Sequence, residues 1–179
     1  MSGLKHTRHE AESSQRSKSF HKLPYLKEII KSETAKNIYI PFITITETWL
    51  KPFISDSQVN IINYNVFRSD RKLSNNGGAL IYLHKDIVVE ETMTYDDDFC
   101  NAVICLCRNP DFILVCIYRP PNTPFESFKN LLGFLETFFH KYNSSSNTQI
   151  QIFYDFNFPN ISWTTSTEND LHRVNINHF

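Results

Sequence analysis

Apolar residues recur along this chain in two rhythms. From Lys22 onward, Leu23, Leu26, Ile29 and Ile30 fall on one helical face, and Pro24 is tolerated in a first turn, so "KLPYLKEIIKSE" predicts a helix. In "YIPFITITETWL" the period shortens to that of a strand running through Ile43 and Ile45 and ending at Glu47. "YNVFRSD" and "GALIYLH" predict two strands joined across "RKLSNNGG", with Asn76-Gly77 marking the turn. "NAVICLC" and "FILVCIY" predict a second hairpin across "RNPD", both apolar enough for central strands. Thr123-Pro124-Phe125-Glu126 has the form of a capping box with proline at the first helical position. Behind it Phe125, Phe128, Leu131, Leu132, Leu135, Phe138 and Phe139 recur at helical spacing. The expectation is a helix from Thr123 to about His140 that lays this stripe on the outside of a sheet. A polar loop, "NSSSNT", then leads to the strand "QIQIFY", and after Trp163 the pattern dissolves. Hairpins mixed with helices exclude a purely parallel doubly wound sheet.

Composition adds boundaries to that picture. With 179 residues, 41% hydrophobic and 21% charged, the chain suits one domain large enough to bury a core. Residues 1–21 read as a polar, disordered tail, 22–163 as the domain, and 164–179 as a residual segment. A net charge of −1 does not advertise nucleic-acid binding, although a neutral total can hide a local basic groove. Cys100, Cys105, Cys107 and Cys116 sit in apolar stretches without a second ligand pair at zinc spacing, which points to buried, reduced thiols in an intracellular protein. There is no apolar run of about 18 residues for a membrane-spanning helix and no secretory leader pattern, so no membrane partner is expected.

Three strand ends deliver polar residues: Glu47; then Tyr118 with Arg119 and Asn122; then Asp155 with Asn157. A carboxylate emerging from the buried run before Glu47 is expensive without a partner. A hard divalent cation such as Mg²⁺ would offset that cost and grip a phosphate. An aspartate one strand away could take a proton from attacking water while an asparagine orients it. Alternatively, Glu47 and Asp155 are solvated turn residues. Spacing alone favours that second reading for either residue taken singly.

Four motifs in order change the balance: "ITETWL", "YNVFRSDRK…GGALIYLHKDI", "VCIYRPPN" and "YDFNFPNISW". Together they resemble the endonuclease/exonuclease/phosphatase superfamily, specifically the apurinic-endonuclease-like domain of non-LTR retrotransposons of the jockey and chicken-repeat type. The resemblance runs from about Lys22 to Trp163. It implies a four-layer α/β sandwich, two mixed sheets flanked by helices as in deoxyribonuclease I, incomplete at both ends. It also implies Mg²⁺-dependent nicking of DNA to expose the 3′-hydroxyl that primes reverse transcription. Glu47 matches the family's metal-binding glutamate, Tyr118 its phosphate-contacting tyrosine, Asp155 the residue handling the water nucleophile, and Asn157 the supporting asparagine. Arg68 and Arg71 lie where the family has a basic strand and loop near DNA; a solvated hairpin edge explains them equally. The implied partners are DNA and a reverse transcriptase domain in the full element, acting in the nucleus.

The chain also departs from the family pattern. Of the family's opening "NARSL"-like motif only Arg16-Ser17 stands in recognisable form, the glycine before the aspartate is Tyr154, and the closing "SDH" motif is not reached. His172 and His178 do not replace its histidine. A shortened copy without the family's nicking rate is therefore expected. Tyr154 either extends a core face with Ile150 and Ile152 or overpacks a site built for glycine. The competing functions are a host-retained, non-catalytic DNA-binding or adaptor remnant, and a small-molecule or lipid phosphoesterase of the same superfamily.

Overall fold

The computed structural model describes residues 22–72, 76–108, 110–142 and 148–157. Readings that fall on Arg16-Ser17, Trp163, His172, His178, the 1–21 tail and the 164–179 segment lie outside the described residues. Helix α1 (Lys22–Ala35) is followed by β1 (Phe42–Thr46), a single turn α2 (Asp56–Val59), β2 (Tyr64–Ser69) and β3 (Ala79–His84). Strands β4 (Val88–Asp96), β5 (Asn101–Arg108) and β6 (Phe112–Tyr118), helix α3 (Phe125–Tyr142) and β7 (Gln149–Asp155) complete the order. One sheet has the order β1-β3-β2 and the other β4-β5-β6-β7. The first is antiparallel throughout, and the second is mixed because β7 runs parallel to β6.

Period-2 alternation sorts adjacent residues of β5 and β6 into different cores. Ala102, Ile104 and Leu106 with Ile113, Val115 and Ile117 face α3, where Phe128, Leu131, Leu135 and Phe138 cover them. Val103, Cys105, Leu114 and Cys116 face the other way and meet Ala79, Ile81 and Leu83 between the sheets. On the far side of the first sheet, Leu80 and Tyr82 pack with Ile30 of α1. The result is four layers, helix–sheet–sheet–helix. Both central strands are buried on two faces, which is why they read as unbroken apolar runs. All four cysteines are free and buried. Burial raises every one of their thiols, Cys100 and Cys116 to about 11, so they stay protonated fillers of the core.

Three features differ from the pattern read along the chain. The hydroxyl of Thr123 donates to the Pro120 carbonyl (2.8 Å) instead of capping α3, which starts at Phe125. The helical stripe is narrower than expected: Phe125 and Leu132 are exposed, the latter by 46%. Replacing Leu131 by Ala is accordingly expected to cost about 2–5 kcal/mol. Leu132→Ala should cost less than about 0.5 kcal/mol. Urea denaturation of the two variants checks the contrast. Strand β4 has no counterpart in the sequence reading, and a bulge explains why. Its register slips between Val89 and Glu91, so Val89 packs between the sheets while Met93 and Tyr95 turn to the α3 side. The slip breaks the alternation that would mark a strand.

Candidate active site

Glu47 stands one residue beyond β1 with φ 54°, in the left-handed region that a non-glycine residue rarely adopts. Trp49 shares it, at φ 56°. Two backbone contacts hold the turn: Thr48 N–H donates to the Gly78 carbonyl (3.4 Å) and Trp49 N–H to that of Gly77 (2.8 Å). The glycines here do more than turn the chain. A Cβ on Gly78 would lie 2.3 Å from Thr48 Oγ1, and one on Gly77 would lie 2.9 Å from both Arg71 Cδ and Tyr118 Cε1. Close approach of three segments therefore requires both glycines. Asn101, fully buried at the start of β5, accepts from Gly78 N–H (3.3 Å) and donates to Ser69 Oγ (3.2 Å) and Asp96 Oδ1 (3.2 Å), tying the two sheets together behind the turn.

Tyr118 ends β6, buried, and its hydroxyl donates to Glu47 Oε1 at 3.1 Å. Asp155 ends β7 directly opposite Tyr118 in the parallel register. Glu47 and Asp155 line the same cleft. Asn157 follows with φ 47°, and its Nδ2 donates to the Arg119 carbonyl (3.0 Å). Thus the structure brings Glu47, Tyr118 and Asp155 to one end of the sheets, with Asn157 fastened just behind. Arg119 does the fastening: its N–H donates to the Asp155 carbonyl (2.9 Å), its Nη1 to that of Phe156 (2.7 Å), and its guanidinium lies 5.3 Å from the Phe128 ring centre. Chain position next to Tyr118 was the only sequence signal for this clamp. Asn101 left a weaker one, an amide opening an otherwise apolar run.

Arg68 and Arg71 do not join that group as an exposed basic pair. Arg68, its side chain 14% exposed, donates to the Ile54 carbonyl and bridges Asp56 (3.0 Å) and Asp70 (3.4 Å). Arg71 is buried, donating to the carbonyls of Asn76 (3.1 Å) and Asp98 (2.7 Å). The reading of both as a solvated hairpin edge is overturned: a guanidinium fork with several fixed donors is being used here to hold loops. Tyr154 likewise has a structural account. Its ring stacks on Phe156 at 4.4 Å and is 47% exposed, on the opposite face of β7 from Phe153, which meets Phe42 of β1. Ile150 and Ile152 on the same face are exposed as well, so Tyr154 extends no core face among the described residues.

Burial, then the charge of Glu47 and the hydrogen bond to it, push Tyr118 up to about 12; Arg71 pulls the other way and Asp155 adds to the rise. Tyr82, buried under α1, is also raised to about 12. Because folding raises these values above the usual 10, their contribution to stability is complete below that pH and is lost as pH climbs through about 12. Alkaline titration of tyrosinate absorbance should show these rings ionising late, together with unfolding; ionisation of every tyrosine near pH 10 would contradict the packing.

A cation could use this end of the molecule. Among the described residues no three acidic, histidine or cysteine side chains stand together as a metal cage. Mg²⁺ does not need one, since it is commonly held by one or two carboxylates together with water and substrate phosphate. Among the described residues Glu47 engages Oε1 alone, with Tyr118, and Asp155 opens on the same cleft, so the donor set fits such an ion.

No family model and no curated protein matches the chain. Solved structures do. A mannosyl-6-phosphatase from Bacteroides thetaiotaomicron aligns with TM-score 0.52 and 10% identity over 82% of this chain and 60% of its own. An endonuclease/exonuclease/phosphatase family protein from the same organism aligns with TM-score 0.52 and 10% identity over 82% and 57%. The chain has a deoxyribonuclease I-like fold. It spans less than two thirds of the length of these neighbours. The endonuclease domain of TRAS1, a telomere-specific non-LTR retrotransposon, aligns less closely, with TM-score 0.45 and 17% identity over 80% of this chain and 55% of its own. At such identities the likeness concerns architecture alone, and the chemistry has to be argued from the site.

Proposed function

We propose that residues 22–157 carry the cation- and water-handling side of a DNA-nicking phosphodiesterase site, of the kind found in the endonuclease domains of non-LTR retrotransposons. The observation that carries this reading is the meeting of Glu47, Tyr118 and Asp155 at one cleft, with left-handed backbone at Glu47, Trp49 and Asn157. Unfavourable backbone of this kind costs about 1–3 kcal/mol per residue and collects at functional sites.

Each residue has a distinct task. Mg²⁺ held at Glu47 would supply positive charge to a non-bridging phosphate oxygen. Tyr118 stays protonated throughout the neutral range, holds Glu47 by its hydroxyl and stands ready to contact the phosphate. Asp155 accepts a proton from water as the water oxygen bonds to phosphorus; the P–O3′ bond breaks and the leaving 3′-oxygen takes up a proton from solvent water. Asn157 and Arg119 hold the end of β7 against β6, which keeps Asp155 in register with Tyr118. The product is a nick with a free 3′-hydroxyl, the primer a reverse transcriptase domain needs, and the reaction belongs in the nucleus. Arg71 acts here as a positive charge behind Tyr118, and Arg68 as a structural brace.

The test is nicking of supercoiled plasmid with Mg²⁺, comparing the 179-residue polypeptide with a Glu47→Gln, Asp155→Asn double variant. Nicking that the double variant retains in full would overturn the assignment.

A further inference from the structure

Strand β7 is an edge of its sheet, paired with β6 alone among the described residues. Edge strands of natural proteins are commonly blunted by charge, proline or a bulge. The opposite edge of the same sheet follows that rule: β4 carries Glu90, Glu91 and the register slip between Val89 and Glu91. Strand β7 does not, since "QIQIFYD" has no charge before Asp155, no proline and an unbroken register against β6. Ile150, Ile152 and Tyr154 share one face of it and are 42%, 44% and 47% exposed. The hydrogen-bond phase is fixed as well. Arg119 N–H donates to the Asp155 carbonyl, so Asp155, and with it Phe153, Gln151 and Gln149, turns its backbone groups toward β6. Ile150, Ile152 and Tyr154 turn theirs to the outer edge. The residues with outward backbone groups are therefore the ones with exposed apolar side chains.

We infer that β7 is a self-association edge, on which β7 of a second copy of this chain pairs antiparallel about a two-fold axis through Ile152. In that register Ile152 faces Ile152, Ile150 faces Tyr154, and Gln149 faces Asp155 of the other copy. Each of the three outward residues then donates its N–H and accepts through its carbonyl. A shift by one residue sets outward groups against inward ones, and a shift by two leaves one of the three without its counterpart within β7. The side chains agree with the backbone. Ile150, Ile152 and Tyr154 of both copies form one apolar strip, and Asp155, the sole charge, meets an uncharged amide. An in-register parallel pairing would instead set Asp155 beside Asp155. The product is one sheet across both copies whose outer edges are the bulged, charged β4 strands, so assembly through this sheet stops at two. The two Asp155 residues stand about 20 Å apart along the paired strands, and the two clefts open at opposite ends. The phosphodiesterase reading neither requires this dimer nor falls with it.

The experiment measures sedimentation of the 179-residue polypeptide over a range of concentrations and cross-links cysteine variants by mild oxidation. A reversible monomer–dimer equilibrium is expected. The native cysteines are buried and stay out of the cross-linking reaction. Ile152→Cys places its Cα about 5.5 Å from its own copy across the axis and should oxidise to a covalent dimer. Ile150→Cys alone should not, whereas a mixture of Ile150→Cys chains with Tyr154→Cys chains should give the mixed dimer. Ile152→Lys sets like charges face to face and should weaken association about tenfold or more. Thermal unfolding of each variant checks the fold, which substitutions at these exposed positions are expected to leave intact. A chain that stays monomeric at every concentration, an unchanged dimer in Ile152→Lys, or equal self-cross-linking at positions 150 and 152 overturns the inference. Growth into polymers without a dimer stage overturns it too, because a two-fold contact closes.

Discussion

Mg²⁺-dependent nicking by the 179-residue polypeptide, whatever its absolute rate, is expected to fall by about 10²–10⁴ when Glu47→Gln and Asp155→Asn are combined. Loss of proton acceptance at Asp155 alone accounts for a change of that order. Glu47→Gln adds to it by removing the charge that would hold a cation against the phosphate. The two substitutions should be far from additive, because both act on one cleft. Neither should disturb the fold: Glu47 is exposed, glutamine keeps an oxygen for the Tyr118 hydroxyl, and the β7 backbone contact to Arg119 does not involve the Asp155 side chain. Plasmid relaxation over time, with thermal unfolding measured in parallel, separates loss of chemistry from loss of structure. A double variant that nicks like its parent would mean that the acids at these strand ends carry no chemistry.

Gly78→Ala is expected to be the most damaging small substitution in the described chain. The new methyl would meet Thr48 Oγ1 at 2.3 Å, and φ at this position is 93°, where an L side chain is strained wherever there is room. Strain and overpacking together should cost about 2–6 kcal/mol. Adding Thr48→Ala removes the clashing hydroxyl but leaves the backbone strain, so only part of the loss should return. That partial recovery in urea denaturation is the signature of the close approach. Gly133 on α3 provides the contrast, since nothing lies within 4 Å of a Cβ built there. Gly133→Ala should stabilise the protein by about 0.5–1 kcal/mol through helix propensity. If Gly78→Ala were equally harmless, the Glu47–Trp49 turn would not rest on the Gly77–Gly78 backbone in the way described.

Local pattern was enough for the elements whose burial is uniform. The unbroken apolar runs of β5 and β6 read as central strands and are, and Phe128, Leu131, Leu135 and Phe138 form the covered helical face, although Phe125 and Leu132 at the same spacing are exposed. Asn37 after α1 was not singled out by the pattern: at φ 59° it takes the left-handed position that closes the helix, with Ile38 N–H donating to the Glu33 carbonyl (3.0 Å). The polar residues at the ends of β1, β6 and β7 were also visible as candidates, because charge or amide directly after an apolar run is conspicuous; in the structure only β6 is fully buried, β1 is half-buried, β7 is largely exposed, and Glu47 is exposed.

Their meeting was another matter. Glu47 and Tyr118 are 71 residues apart and touch only because two sheets pack face to face with β1 over β6. No period in the chain encodes which strand ends share a side of a sandwich; register and sheet packing do. Arg68 and Arg71 show the same limit in reverse, since alternation in a strand predicts a direction but not the carbonyls of Ile54, Asn76 and Asp98 that take up their donors. The bulge in β4 and the glycine approaches at Thr48 and Tyr118 are likewise tertiary facts: both depend on distances between segments that are remote along the chain, and those distances exist only once the layers have packed.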